Sequence, residues 1–149
     1  MQFKLSLLTS VIAALSTQVI SAPATHFKRF TISTGNAALD NWFATTDANI
    51  TFIGNPPVPR TLLQRQATQT TVVTCDKRSS TVCSGNCQTL TTSDTCLSVP
   101  GTECMMASQD VAFCDKSGCG GSCNSFADCG TKLDGGFCAT PGTNSILVQ

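Results

Sequence analysis

The sequence predicts a small disulfide-rich, mainly β, loop-rich domain built from two similar half-repeats. A signal peptide and a largely irregular pro-segment precede it. Three observations predict this arrangement. The chain opens on a short basic start and an apolar run, all ten cysteines lie from Cys75 onward, and a cysteine-containing pattern occurs twice among them.

Met1-Gln2-Phe3-Lys4 leads into the apolar run Leu5–Leu15. A positively charged start followed by about 7–15 apolar residues is the signature of a secretory signal peptide. Ser16, Thr17 and Gln18 interrupt the run, leaving it short of the roughly 20 apolar residues a bilayer requires. Small residues in Val19–Ala24 allow cleavage after Ser21 or after Ala24, so residues 1–21 are the expected signal peptide. No later segment is apolar enough to span a membrane. A secreted, extracellular product without stable membrane insertion is expected.

Residues 22–65 contain no cysteine, and they hold the only tryptophan, Trp42, and the only histidine, His26. Lys28-Arg29 is a dibasic pair of the kind kexin-type proteases cut after. Arg65 stands before Gln66, where the composition changes, and cleavage there would leave a Gln66 able to form pyroglutamate. Processing at Arg29 and Arg65 is therefore expected, the alternative being that Arg65 is an ordinary linker residue and the segment stays attached. Asn49-Ile50-Thr51 is the only N-glycosylation sequon, which makes Asn49 the expected acceptor. Thr31–Ser33 and Ile50–Ile53 suit short strands, but no independent fold is expected of this segment.

Residues 66–149 carry Cys75, Cys83, Cys87, Cys96, Cys104, Cys114, Cys119, Cys123, Cys129 and Cys138. An even count in a short secreted segment reads as a disulfide framework, though spacing alone leaves the pairing open. Cys83-Ser84-Gly85-Asn86-Cys87 and Cys119-Gly120-Gly121-Ser122-Cys123 each bring two thiols close, as zinc sites do. Interspersed cysteines and a region free of histidine favour disulfides, and no metal site is expected. The bridges are needed physically. A core of this size supplies about 3–5 kcal/mol, and each native disulfide adds about 2–4 kcal/mol.

The half-repeats span residues 75–104 and 114–145. Cys75-Asp76-Lys77, Cys83-xxx-Cys87 and Cys96 followed by Pro100-Gly101-Thr102 reappear as Cys114-Asp115-Lys116, Cys119-xxx-Cys123 and Cys138 followed by Pro141-Gly142-Thr143. Cys104 and Cys129 have no counterpart. The expected pattern is two equivalent bridges in each half and one Cys104–Cys129 link between them.

Pro100-Gly101 and Pro141-Gly142 read as turns, since proline presets one central position and glycine supplies positive φ at the next. Gly85-Asn86, Gly118, Gly120-Gly121 and Asp134-Gly135-Gly136 mark further turns. Between them lie the β-prone runs Thr70–Thr74, Gln88–Thr91, Asp110–Phe113 and Gly136–Ala139, with a short helical turn at Ser125–Asp128.

Chemistry is read mainly by exclusion. Residues 66–149 hold no His, Trp or Tyr, and nothing in the spacing of Asp76, Asp94, Glu103, Asp110, Asp115, Asp128 and Asp134 singles out an acid–base pair. No catalytic residue, enzyme activity or cofactor is expected. Against those seven acids stand only Lys77, Arg78, Lys116 and Lys132, so the basic face that nucleic acid or anionic membrane requires is missing. Phe113, Phe126 and Phe137 suit a core better than a carbohydrate-binding platform. No adjacent cysteine pair of the hydrophobin kind occurs. The two Pro-Gly-Thr segments are the candidate recognition loops, against the plainer reading that they only serve the fold.

The arrangement resembles the small secreted cysteine-rich proteins of fungi, effector candidates among them. The resemblance is architectural and spans the chain, resting on Met1–Ala24, Lys28-Arg29, Arg65-Gln66 and the ten cysteines. It implies a non-enzymatic protein that binds an extracellular protein or glycan. Toxins, hydrolase inhibitors and structural wall or fruiting-body proteins belong to the same broad class. No functional residue is carried over from it.

Overall fold

A computed structural model describes residues 32–54 and 69–149. The expected signal peptide and both processing residues, Arg29 and Arg65, lie outside the described residues.

The segment ahead of the cysteines departs from its expected irregularity. Ala37–Thr45 forms helix α1, and Asn49–Ile53 forms strand β1. Asn36 caps the helix, its side-chain oxygen accepting from the amides of Ala38 (3.1 Å) and Leu39 (3.2 Å). The Asp40 carboxylate in the first turn accepts from the Thr34 amide and hydroxyl, at 2.7 and 2.8 Å. A nine-residue helix is too short to persist on propensity alone. What holds it is the burial of Leu39 and Trp42, which the local sequence does not reveal. The strand expected at Ile50–Ile53 is present as β1, whereas Ile32 and Ser33 are irregular.

The cysteine-rich part supplies β2 (Thr70–Ser79), β3 (Val82–Thr92), β4 (Thr95–Ala107), β5 (Ala112–Cys114), β6 (Cys123–Ser125) and β7 (Cys138–Val148). With β1 they form one seven-stranded sheet in the order β1-β3-β2-β4-β7-β5-β6. The paired strands run antiparallel except β1, which runs parallel to β3 with Asn49 opposite Asn86 and Ile53 opposite Leu90. Leaving β1 aside, the order reads hairpin and third strand, then third strand and hairpin: β3-β2-β4 against β7-β5-β6.

Thr70–Thr74 and Gln88–Thr91 lie within the longer strands β2 and β3. Of the other two expected runs only Ala112–Phe113 and Cys138–Ala139 are extended, Asp110–Val111 being irregular and Gly136 closing a 3-10 turn. The Pro-Gly pairs do not end their strands. Pro100-Gly101 falls inside β4 and Pro141-Gly142 inside β7, and the register between these neighbours breaks around them. Gly101 (φ 77°) and Gly142 (φ 80°) supply left-handed backbone, and Thr102 pairs with Thr143 between them. Irregularities of this kind accept proline inside a sheet because no ladder hydrogen bond is asked of it. Ser125–Asp128 makes a single turn: the Asp128 amide donates to Ser125 O (3.1 Å), and the Asp110 carboxylate receives Ser125 Oγ and the Ala127 amide.

Successive strand residues point to opposite faces, and each face carries a core. Val73, Cys75, Cys87, Cys104 and Met106 pack with Leu133, Phe137, Leu39 and Trp42. Val72, Met105 and Ala107 pack on the other side with Val99, Val111, Ile146 and Val148. Phe137 is fully buried, while Phe113 and Phe126 pack at the edges of these cores.

All ten cysteines are bridged. Cys75–Cys87 and Cys114–Cys123 each close a hairpin with Cα atoms 4.1 Å apart, and they join matching positions of the two expected half-repeats. The other three pairs correct the expected pattern. Cys83 bonds Cys104, Cys129 bonds Cys138, and Cys96–Cys119 links residues of the two expected half-repeats. Cys104 faces Cys75 across the β2–β4 ladder, beside the hairpin that carries Cys83. Cys129 is drawn to Cys138 because its loop folds back on β7, the Ala139 amide donating to Thr131 O at 2.9 Å. The expected Cys104–Cys129 bond would have required reaching across pairings that only the folded sheet creates.

Candidate binding surface

Strands β1, β3, β2 and β4 expose a trough on the face opposite α1. Its polar end, a groove of about 320 Å³, is lined by Thr74, Asp76, Asn86 and Gln88 together with Ser98 and Pro100-Gly101-Thr102. Its apolar end, about 240 Å³, adds Ile53, Val72, Leu90 and Leu97. Thr74, Gln88, Ser98 and Val99 belong to both ends, so the two grooves are continuous. The dimensions fall at the lower end of those of ligand sites. Of the two expected recognition loops, Pro100-Gly101-Thr102 lines this trough, and Pro141-Gly142-Thr143 does not line it.

The polar end is built by the irregularity in β2 between Cys75 and Lys77. There Asp76 turns its carboxylate onto Asn86, accepting the backbone amide on Oδ1 and the side-chain amide on Oδ2, both at 2.8 Å. These bonds, the side-chain one first, hold its carboxyl below the ordinary aspartate value. Asn86 Oδ1 in turn accepts from Asn49 Nδ2 at 3.1 Å. The expected glycosylation residue thus stands exposed at the start of β1, next to the trough's polar rim. Gly85 makes the Asp76 contact possible: its φ is +90°, and a Cβ there would stand 2.3 Å from Asp76 Oδ1.

The same bond recurs in the second hairpin. Asp115 Oδ1 accepts the Ser122 amide at 2.8 Å, and a Cβ on Gly121 (φ +77°) would stand 2.0 Å from that oxygen. The Asp-Lys pairs therefore place turn residues. Two more carboxylates are engaged in loops: Asp110 as described, and Asp134, which accepts from Thr81 Oγ1 at 2.6 Å. Ser145, buried on β7, holds the Lys116–Cys119 loop. Its hydroxyl donates to Lys116 O and accepts the Cys119 amide at 2.9 Å.

Among the described residues, no three or more His, Cys, Asp or Glu side chains gather as a metal site would require. No helix among them is long and apolar enough to cross a membrane. Comparison of the chain with protein-family models, curated proteins and solved structures finds no match.

Sequence reasoning did not find Gln88, Ser98, Leu90 or Leu97 as surface residues: Gln88 and Leu90 fall within a β-prone run, whereas Leu97 and Ser98 fall within none. Their assembly into one surface depends on β3 and β4 flanking β2, which no local pattern specifies.

Proposed function

We propose that the chain is the precursor of a small secreted effector-like protein, similar in kind to the cysteine-rich proteins of fungi, that acts by binding an extracellular protein or glycan without catalysis. The observation that carries this reading is the trough itself. A disulfide-fixed sheet presents amide and hydroxyl groups (Asn86, Gln88, Thr74, Ser98) beside an apolar strip of Leu90 and Leu97. Such a mixture suits hydroxyl-rich or peptide ligands, and a rigid scaffold reduces the ordering cost of binding.

The supporting proposals are that residues 1–21 direct secretion, that Arg29 and Arg65 are processing sites, and that Asn49 carries a glycan. Duplication is proposed for residues 75–104 and 114–145. It is supported by the symmetric strand order, the matched Cys75–Cys87 and Cys114–Cys123 bridges, and the recurring Asp76–Asn86 and Asp115–Ser122 bonds.

Titration of the isotope-labelled protein with soluble wall glycans and with extracellular proteins tests the binding reading. Saturable shifts of the Asn86 and Gln88 side-chain amide signals are expected with one of them. Turnover of a ligand, or shifts confined to the opposite face, would defeat it.

A further inference from the structure

The segment ahead of the cysteines is bound to the sheet in the manner of a ligand. Helix α1 sets Leu39, fully buried, and Trp42, 8 % exposed, one turn apart on the face that meets Val73, Met106, Leu133 and Phe137. The Trp42 ring lies 5.0 Å from Phe137. The helix crosses the Asp134–Gly136 turn closely: a Cβ on Gly136 would meet Ala38 Cβ at 3.6 Å, and one on Gly135 would meet Trp42 Cδ1 at 3.7 Å. Strand β1 then adds to the edge of β3, and the Asn49–Asn86 side-chain bond fixes its register. The segment brings its own cap in Asn36, and Phe43 stacks on Phe52 at 5.9 Å. Its helix and strand are both too short to be stable apart from a partner surface. No cysteine precedes Cys75, so only the backbone through residues 55–68 ties the segment to the domain.

We propose that residues 36–53 are a built-in, exchangeable peptide ligand of the cysteine-rich domain. Once the connecting chain is cut, they remain bound as a second, non-covalent chain. The face made by Val73, Met106, Leu133, Phe137 and the β3 edge is accordingly a peptide-binding site. Its ligand class is a short amphipathic helix with Leu and Trp one turn apart, followed by an extended strand that augments the sheet. The biological use of this exchange rests on the proposed processing at Arg65, whereas the binding itself does not.

Trp42 is the only tryptophan in the chain, so its emission reports docking directly. The full chain, with a specific protease site placed within residues 55–68, is cut under native conditions. Emission should stay at the buried wavelength after the cut, and the two pieces should co-elute in native chromatography yet separate in denaturant without reductant. On serial dilution the emission should move to the exposed wavelength. A fluorescently labelled peptide of residues 32–54 should bind the cut protein at least tenfold more tightly than the uncut one, and its Leu39→Asp form at least tenfold less tightly than the parent peptide. Immediate exposure of Trp42 on cutting at every concentration would overturn the proposal, as would failure of the labelled peptide to exchange even in large excess. A mass of naturally secreted protein that still spans Arg65 would refute the processing reading alone, since the protease-cut protein measures the binding independently.

Discussion

The indole of Trp42 and the ring of Phe137 lie 5.0 Å apart, tilted at 56°, and join two parts of the chain that no disulfide connects. Phe137 stands directly before β7 and is bounded by the Gly135-Gly136 turn, so the contact ties α1 to the middle of the domain. Truncating Trp42 to alanine removes a large buried side chain, which costs about 3–5 kcal/mol in a well-packed core. The bridges remain in that variant. Amide exchange should accelerate throughout α1 and β1 while the β4–β7 ladder keeps its protection, as read by hydrogen-exchange mass spectrometry.

Asp76 confers a pH dependence of definite sign. Its folded carboxyl titrates below the unfolded value because Asn86 donates two hydrogen bonds to the charged form. A depressed acid contributes stability that is present above its unfolded pKa and is lost as pH falls through the folded one. Asp76→Asn should therefore melt below the parent protein at neutral pH, and the gap should close as pH drops below the ordinary carboxylate range. Paired thermal melts across that range check the sign.

Gly85 and Gly121 are the positions where a methyl group would meet a hairpin aspartate. Alanine at Gly118 meets nothing within 4 Å and bears only the left-handed backbone cost, about 1–2 kcal/mol. Gly85→Ala and Gly121→Ala bear that cost and must also expel Asp76 or Asp115 from its amide partner. Denaturant melts should rank both below Gly118→Ala, and Gly85→Ala should lose the acid-dependent part of stability described for Asp76.

Ser145→Ala leaves the Lys116 carbonyl and the Cys119 amide without their hydroxyl partner. Both bonds are only part-buried, so their loss costs about 1 kcal/mol, the net worth of an ordinary hydrogen bond, rather than the full penalty of a buried orphan. The loss should appear in chemical denaturation, with the Cys119 amide exchanging faster while the hairpin of β5 and β6 is unaffected.

What was legible in the sequence follows from short-range physics. An even set of cysteines in one stretch specifies a stapled domain, and the runs rich in β-branched residues at Thr70–Thr74 and Gln88–Thr91 mark β2 and β3 because strand propensity is local. The recurrence of Cys-Asp-Lys and Cys-xxx-Cys pointed to equivalent bridges without naming them, and the structure supplies one such pair, Cys75–Cys87 and Cys114–Cys123, each joining cysteines that face one another across a short loop. The tertiary structure decided the rest. Cys104 took Cys83 and Cys129 took Cys138 because strand pairing and a folded-back loop set which thiols meet. Pro100-Gly101 and Pro141-Gly142 became irregularities inside β4 and β7 because each strand found a neighbour beyond its proline. Leu39 and Trp42 read as part of an unstructured pro-segment until Phe137 and Met106 offered them a surface. A nine-residue helix draws its stability from what it covers, and that surface is assembled from residues distant in the chain.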